Sequence, residues 1–159
     1  MITYQRLIEL LEYDPESGLF RWRIARGCQP ANAIAGYRRK GGYIMIRVGG
    51  PVPQYAHRLA FLYMTRRWPK EVDHRDLDRS NNQWSNLREA KSHSANLANQ
   101  RGKGPYPKGV CKTPAGRFAA RLMNMGKNHY LGTFDNPEEA HAAYAAKAQE
   151  LHGEFARTA

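Results

Sequence analysis

Residues 101–107 read Arg-Gly-Lys-Gly-Pro-Tyr-Pro, and no regular element can run through them. Each proline lacks the amide proton that a helix or a ladder needs, and each glycine adds backbone freedom that ordering has to remove. The segment therefore reads as a linker that divides the 159 residues into two short stretches, 1–100 and 108–159. Stretches of that size bury modest cores, so two small modules are expected. With 42% hydrophobic and 25% charged residues, the composition is that of folded rather than disordered chains.

The formal net charge of +11 favours a polyanionic partner, because Lys and Arg that neutralise phosphates release counterions. Nucleic acid ranks first and an anionic membrane surface second. No apolar run approaches the roughly 20 residues that span a bilayer. The start, Met1-Ile2-Thr3-Tyr4-Gln5-Arg6, lacks the charged-then-apolar layout of a signal peptide. A cytoplasmic location with no membrane partner is the expectation. The charge is also uneven: residues 101–127 hold seven Lys and Arg and no acid, whereas residues 128–159 hold two against five acids. One face of the second module should be positive. Cys28 and Cys111 cannot supply a four-thiolate zinc site, and neither neighbours a histidine, so both are read as reduced and structural.

In the first module, Leu7, Ile8, Leu10 and Leu11 follow Thr3 as a capped amphipathic helix, closed by the turn Asp14-Pro15-Glu16-Ser17-Gly18. Residues 19–23 read as a strand. Residues 43–48 alternate as strands do, and Gly49-Gly50-Pro51 can turn them into a partner at residues 52–55. Residues 57–64 form an apolar helix that Trp68-Pro69 should end. Trp22, Trp68 and Trp84 belong with the core. From Glu71 to Gln100 apolar residues are few and Asp, His and Asn crowd together.

That crowding has a chemistry. Hydrolysing a phosphodiester at neutral pH needs a base to activate water and a cation to stabilise charge on the phosphate and leaving oxygen. Carboxylate and amide oxygens suit magnesium or manganese, and an imidazole with a pKa near 6.5 can take the proton.

Leu10-Leu11-Glu12-Tyr13-Asp14-Pro15-Glu16-Ser17-Gly18, Ala56-His57-Arg58-Leu59-Ala60, Val72-Asp73-His74, Asn82 and Asn86-Leu87-Arg88-Glu89-Ala90 together resemble HNH endonucleases of the phage and homing type. The resemblance covers residues 1–100. It implies a ββα-metal (His-Me finger) core in which Asp73 binds a divalent cation, Mg2+ or Mn2+, and His74 is the general base. Asn86 would hold the His74 loop, and Asn96 would complete the ligation. The stretch between Asn86-Leu87 and the helix asparagine is one residue longer than the family pattern, which leaves His93 as the competing ligand. Asp76 and Asp78 are read as solvated loop residues, and His57 as a structural hydrogen-bonding partner. Arg38-Arg39-Lys40 and Arg66-Arg67 are either phosphate clamps or solvated charge.

In the second module, residues 108–112, 117–122 and 129–134 read as three short strands. A helix follows, with Asn136 as cap, Pro137 in its first turn and Gly153 at its end. Phe118, Ala120 and Leu122 should face that helix, and Arg117, Ala119 and Arg121 should face outward. Lys108-Gly109-Val110, Gly116-Arg117-Phe118-Ala119-Ala120, Tyr130-Leu131-Gly132-Thr133-Phe134 and Glu138-Glu139-Ala140 resemble the plant ethylene-response-factor type of DNA-binding domain. The resemblance implies DNA contacts at Lys108, Gly109, Arg121 and Tyr130, with Arg117 beside them on the outward face. Cys111 and Met123 stand where that family often carries arginine.

The expected protein is thus of α+β class: a nuclease core, a linker at 101–107, and a three-stranded antiparallel sheet packed on one helix. It would act as a monomer on duplex DNA in a bacterial or phage-infected cell, nicking one strand because one metal site serves one phosphate. A DNA-binding regulator with an inactive core is the alternative. An RNA- or ribosome-binding protein ranks lower, since nothing resembles an RNA-recognition motif.

Overall fold

The computed structural model describes residues 1–90, 98–100, 102 and 104–156. They fall into two compact units, Met1–Ala90 and Lys91–Ala159. Both combine short helices with small antiparallel sheets, as the α+β expectation requires. Among the described residues no helix is long and apolar enough to cross a membrane.

The first unit begins with helix α1, Tyr4–Leu10, whose Thr3 cap accepts the Arg6 amide at 3.3 Å. Leu7 and Leu10 are its buried residues. The helix was expected to include Leu11. Instead the chain extends at once into strand β1, Leu11–Tyr13, which pairs antiparallel with β2, Phe20–Trp22. The turn between them forces this: Asp14 accepts the Glu16 amide at 3.0 Å and the Ser17 hydroxyl at 2.5 Å. Leu11 and Tyr13 then point inward and Glu12 outward.

Strands β3, Tyr37–Arg38, β4, Ile44–Ile46, and β5, Gln54–Tyr55, form a second sheet in that spatial order. Helix α2, Ala56–Thr65, follows directly and buries Leu59, Ala60, Phe61 and Leu62. It stops before Trp68-Pro69, because Arg66 takes a left-handed conformation (φ 58°) and returns its amide to Leu62 at 2.9 Å. Leu7, Leu11, Phe20, Ile46 and Leu59 are the largest fully buried side chains of the core. Trp22 is buried in it, and Trp68 and Trp84 pack on its edge.

A third sheet lies where residue patterning marked no strands. Strand β6, Glu71–His74, pairs antiparallel with β7, Leu87–Ala90, around a loop that ends in a 3₁₀ turn, Trp84–Asn86.

In the second unit, β8, Val110–Lys112, β9, Phe118–Asn124, and β10, Lys127–Phe134, form one sheet with β9 central. Helix α3, Pro137–His152, packs on it through Ala140, Tyr144 and Ala148. Asn136 accepts the Glu139 amide at 2.8 Å, as its capping position predicts. Gly109 lies at φ +81°, and a Cβ there would sit 2.0 Å from the Tyr144 ring, so only glycine fits. Ala119 is 1% exposed rather than outward and solvated. It lies on the central strand, with Cys111 and Thr133 as its register partners on either side. Cys28 and Cys111 are both free and exposed, which corrects their structural reading: neither fills core space.

Candidate active site and outward sheet face

Asp73 and His74 end β6 and are buried, at 4% and 5% exposure. Opposite Asp73 in the ladder stands Arg88. Its Nε and Nη2 each meet Asp73 Oδ2 at 2.8 Å, forming a buried ion pair. Removing one partner of such a pair strands the other charge and typically costs about 3–5 kcal/mol.

The His74 imidazole faces Asn82, whose Oδ1 lies 3.4 Å from Nε2. The Asn82 amide is oriented by its own Nδ2, which donates to Ser80 O at 3.0 Å. An amide oxygen only accepts, so this contact favours the tautomer with the ring proton on Nε2. Burial lowers the His74 pKa below its ordinary value, opposed by the Asn82 contact and by Asp76, Asp73 and Asp78. The ring is therefore neutral at neutral pH, the state a general base needs.

Asn86 organises the loop after His74. Its Oδ1 accepts the Asp76 amide at 3.0 Å, and its Nδ2 donates to Asp76 Oδ1 and Asn81 O, both at 2.9 Å. Asn86 thus ties together the loop after His74, while Asn82 is the asparagine that meets the imidazole. Leu77, inside the loop, is held at φ +69°, a conformation that costs a non-glycine residue about 1–2 kcal/mol. Asp76 and Asp78 are exposed and accept loop amides. Asn96 and His93 lie outside the described residues.

Among the described residues no three or more His, Cys, Asp and Glu gather as metal ligands. A single buried carboxylate fits magnesium, which retains several waters and takes only one or two protein carboxylates. Nε and Nη2 of Arg88 meet Asp73 Oδ2, so the carboxylate is held ionised, the form in which it could serve as a cation ligand.

His57 is 7% exposed, and its Nδ1 finds no hydrogen-bond partner among the described residues. The expected hydrogen-bonding role is thus corrected: aromatic contacts hold the ring. It stacks on Tyr55 at 5.3 Å and meets His74 edge-to-face at 5.1 Å. Burial, then the charges of His74 and Arg58, push its pKa from 6.5 down to about 3. The unfolded chain binds this proton near pH 6.5 and the folded chain only near pH 3. Stability is therefore unaffected above pH 6.5 and is lost as the pH falls between those values. At about pH 5 the loss should reach about 2 kcal/mol. Urea unfolding of His57→Phe and wild type at pH 7 and pH 5 checks this. The variant should lose less, and an equal loss would remove His57 as the cause.

Basic residues border the same loop. Arg79 lies over the Tyr43 ring at 4.9 Å and donates to Gly41 O at 3.2 Å, joining the loop to the hairpin that carries Arg38, Arg39 and Lys40. Arg67 is instead committed to Glu89, with contacts of 2.9 and 2.5 Å, and Arg66 lies over Tyr4 at 5.4 Å.

On the second unit, Arg121 and Tyr130 are register partners on the outward face, and both are exposed. The Tyr130 hydroxyl meets Thr133 Oγ1. Arg117 is half-exposed and pairs with Asp135 at 2.8 Å, a surface contact worth about 0–1 kcal/mol. Lys108 donates to the carbonyls of Ala98 and Gln100, and Gly109 serves the close approach of Tyr144. The structure thus brings together Asp73, His74 and Asn86 in the first unit and Arg121, Tyr130 and Arg117 in the second. Arg88 and Asn82 were missed as site residues. The Asn86-Leu87-Arg88 triplet of the family motif was the available signal for Arg88.

Residues 54–98 match the sequence model of a family described as HNH endonuclease. That segment includes Asp73, His74, Asn82, Asn86 and Arg88. The chain is also similar to ethylene-responsive transcription factors. It is 48% identical to factor ERF084 of Arabidopsis thaliana over 52 residues, which is 31% of this chain and 20% of that protein. It is 47% identical to ethylene-responsive transcription factor 3 of Nicotiana tabacum over 53 residues, 32% and 24% of the two chains. The chain spans about a fifth to a quarter of the length of these curated relatives. No solved structure matches it.

Proposed function

We propose that the chain is a metal-dependent endonuclease hydrolysing phosphodiester bonds of duplex DNA, of the homing or phage type. The observation that carries this is the Asp73–His74 pair, buried at the end of β6 within the HNH-matched segment, with the imidazole Nε2 facing the Asn82 amide oxygen. His74 Nδ1 takes the proton of the attacking water. Asn86 keeps the loop that presents Asn82. Asp73 and Asn96 would hold a divalent cation, whose chemistry when bound is to stabilise charge on the phosphate and leaving oxygen. The core is a ββα-metal site in this reading, and a monomer with one such site nicks one strand.

The second unit tethers the core to DNA. Its support is the outward Arg121–Tyr130 pair, the basic run of residues 101–127 and the ethylene-responsive relatives. A narrow sheet with protruding arginine can enter a major groove. Lys108 contributes less directly, because its ammonium serves backbone carbonyls.

A second reading, a DNA-binding regulator with a silent core, draws on the double contact of Arg88 with Asp73. Supercoiled plasmid separates the two. With magnesium or manganese the endonuclease yields open-circle product, stops on chelation and resumes when the cation is restored. Binding without cleavage under any divalent cation would establish the regulator, and cleavage that survives exhaustive chelation would overturn metal dependence.

A further inference from the structure

Residues 14–18 carry no chemistry in the proposed reaction, yet they press against the segment that holds the imidazole. Tyr13, 4% exposed, donates its hydroxyl to Asn82 O at 2.7 Å. The Trp84 amide donates to Pro15 O at 2.9 Å. Gly18, at φ +73°, approaches so closely that a Cβ would lie 2.4 Å from both Asn82 C and Gln83 N. Those are backbone atoms, so no side-chain rotation relieves the clash. The turn is itself fixed by Asp14, which accepts from Glu16, Ser17 and, through its carbonyl, Gly18. Asn82 is thus gripped along its backbone from the amino-terminal side, while its side chain meets His74.

We propose that the turn after β1 is a positioning element for the His74 imidazole, acting through the Asn82 backbone, with Tyr13 and Gly18 as its positioning residues. The loop of residues 75–82 needs such a support. It is built from polar turns around Asp76 and Asp78 and includes a left-handed leucine. Asn86 secures its start and Asn81, whereas the Asn82 carbonyl is held by Tyr13. A reacting group displaced by about 1 Å can lose on the order of 100-fold in rate. A methyl at position 18 has to push the Asn82 backbone by a comparable amount.

The inference rests on the role given to His74, so its test has one readout that needs no cleavage. Two full-length variants are compared with wild type: Gly18→Ala, which displaces Asn82, and Tyr13→Phe, which removes one oxygen and keeps the ring contacts with Phe20 and Tyr63. Imidazole nitrogen shifts of the 15N-labelled proteins report the His74 tautomer, and plasmid nicking gives kcat and KM. Wild type should show a single Nε2-protonated form. Gly18→Ala should show mixed tautomers and a kcat lower by roughly 10- to 100-fold with KM nearly unchanged. Tyr13→Phe should fall between the two. If wild type does not cut, the nuclease reading fails, and the tautomer signature still decides the positioning role. Folded variants with unchanged tautomer overturn the inference. If neither variant folds, the turn is a fold-holding element and the inference is likewise overturned.

Discussion

His74→Ala should cleave duplex DNA about 10²- to 10⁴-fold more slowly than wild type, the usual contribution of a general base, and should bind the same DNA as tightly. Chemistry and association are separable here because the basic groups at hand, Arg38, Arg79 and Arg121, are other residues than the base. His74 is also a cleaner choice than Asp73. Removing Asp73 leaves the Arg88 charge buried without its carboxylate, so lost activity would mix lost ligation with lost stability. Removing the imidazole trims a neutral ring. Single-turnover cleavage alongside a gel-shift titration separates the two quantities. Undiminished cleavage by the purified variant would take His74 out of the mechanism, and a parallel loss of binding would reassign it to DNA contact.

The sequence disclosed the elements whose inward residues are apolar. Helix α1, helix α2, the sheet of β8 to β10 and helix α3 all carry a periodic apolar face, and each lies within a few residues of its expected bounds. Strands β6 and β7 carry the candidate pair and, for the opposite reason, residue patterning did not mark them. Their inward residues include Asp73 and Arg88, which satisfy each other across the ladder. In a linear reading two charges fifteen residues apart signal a solvated loop, and only pairing converts them into an interior. Asp73, His74 and Asn86 were recognised as a motif, because resemblance needs no burial. Asn82 stood in the same motif without a role, since its function depends on which way its amide turns, and Ser80 O fixes that only in three dimensions. The orphaned Nδ1 of His57 is likewise invisible until the ring is placed among its aromatic neighbours.

Truncation should separate the two units, with an outcome set by where the cut falls. The HNH-matched segment ends at residue 98, beyond the first compact unit, which ends at Ala90. A protein ending at Ala90 therefore keeps the apolar core yet lacks Asn96, and it should fold without cutting. A protein ending at Gly104 retains the whole matched segment. It should still cut, but with apparent affinity lower by roughly 100-fold, because linked modules raise the local concentration of the second binding event. That cut also takes the Lys108 ammonium from the Ala98 and Gln100 carbonyls, which can turn to water. The isolated Lys91–Ala159 unit should bind duplex DNA with an affinity that falls steeply as salt rises, since its contacts include phosphates. Circular dichroism establishes folding of each fragment, and cleavage and binding are then followed across a salt series. Full activity from the Ala90 form would remove residues 91–98 from the active site. A folded Lys91–Ala159 unit with no duplex binding at low salt would overturn the tether and leave the first unit to hold DNA through Arg38 and Arg79.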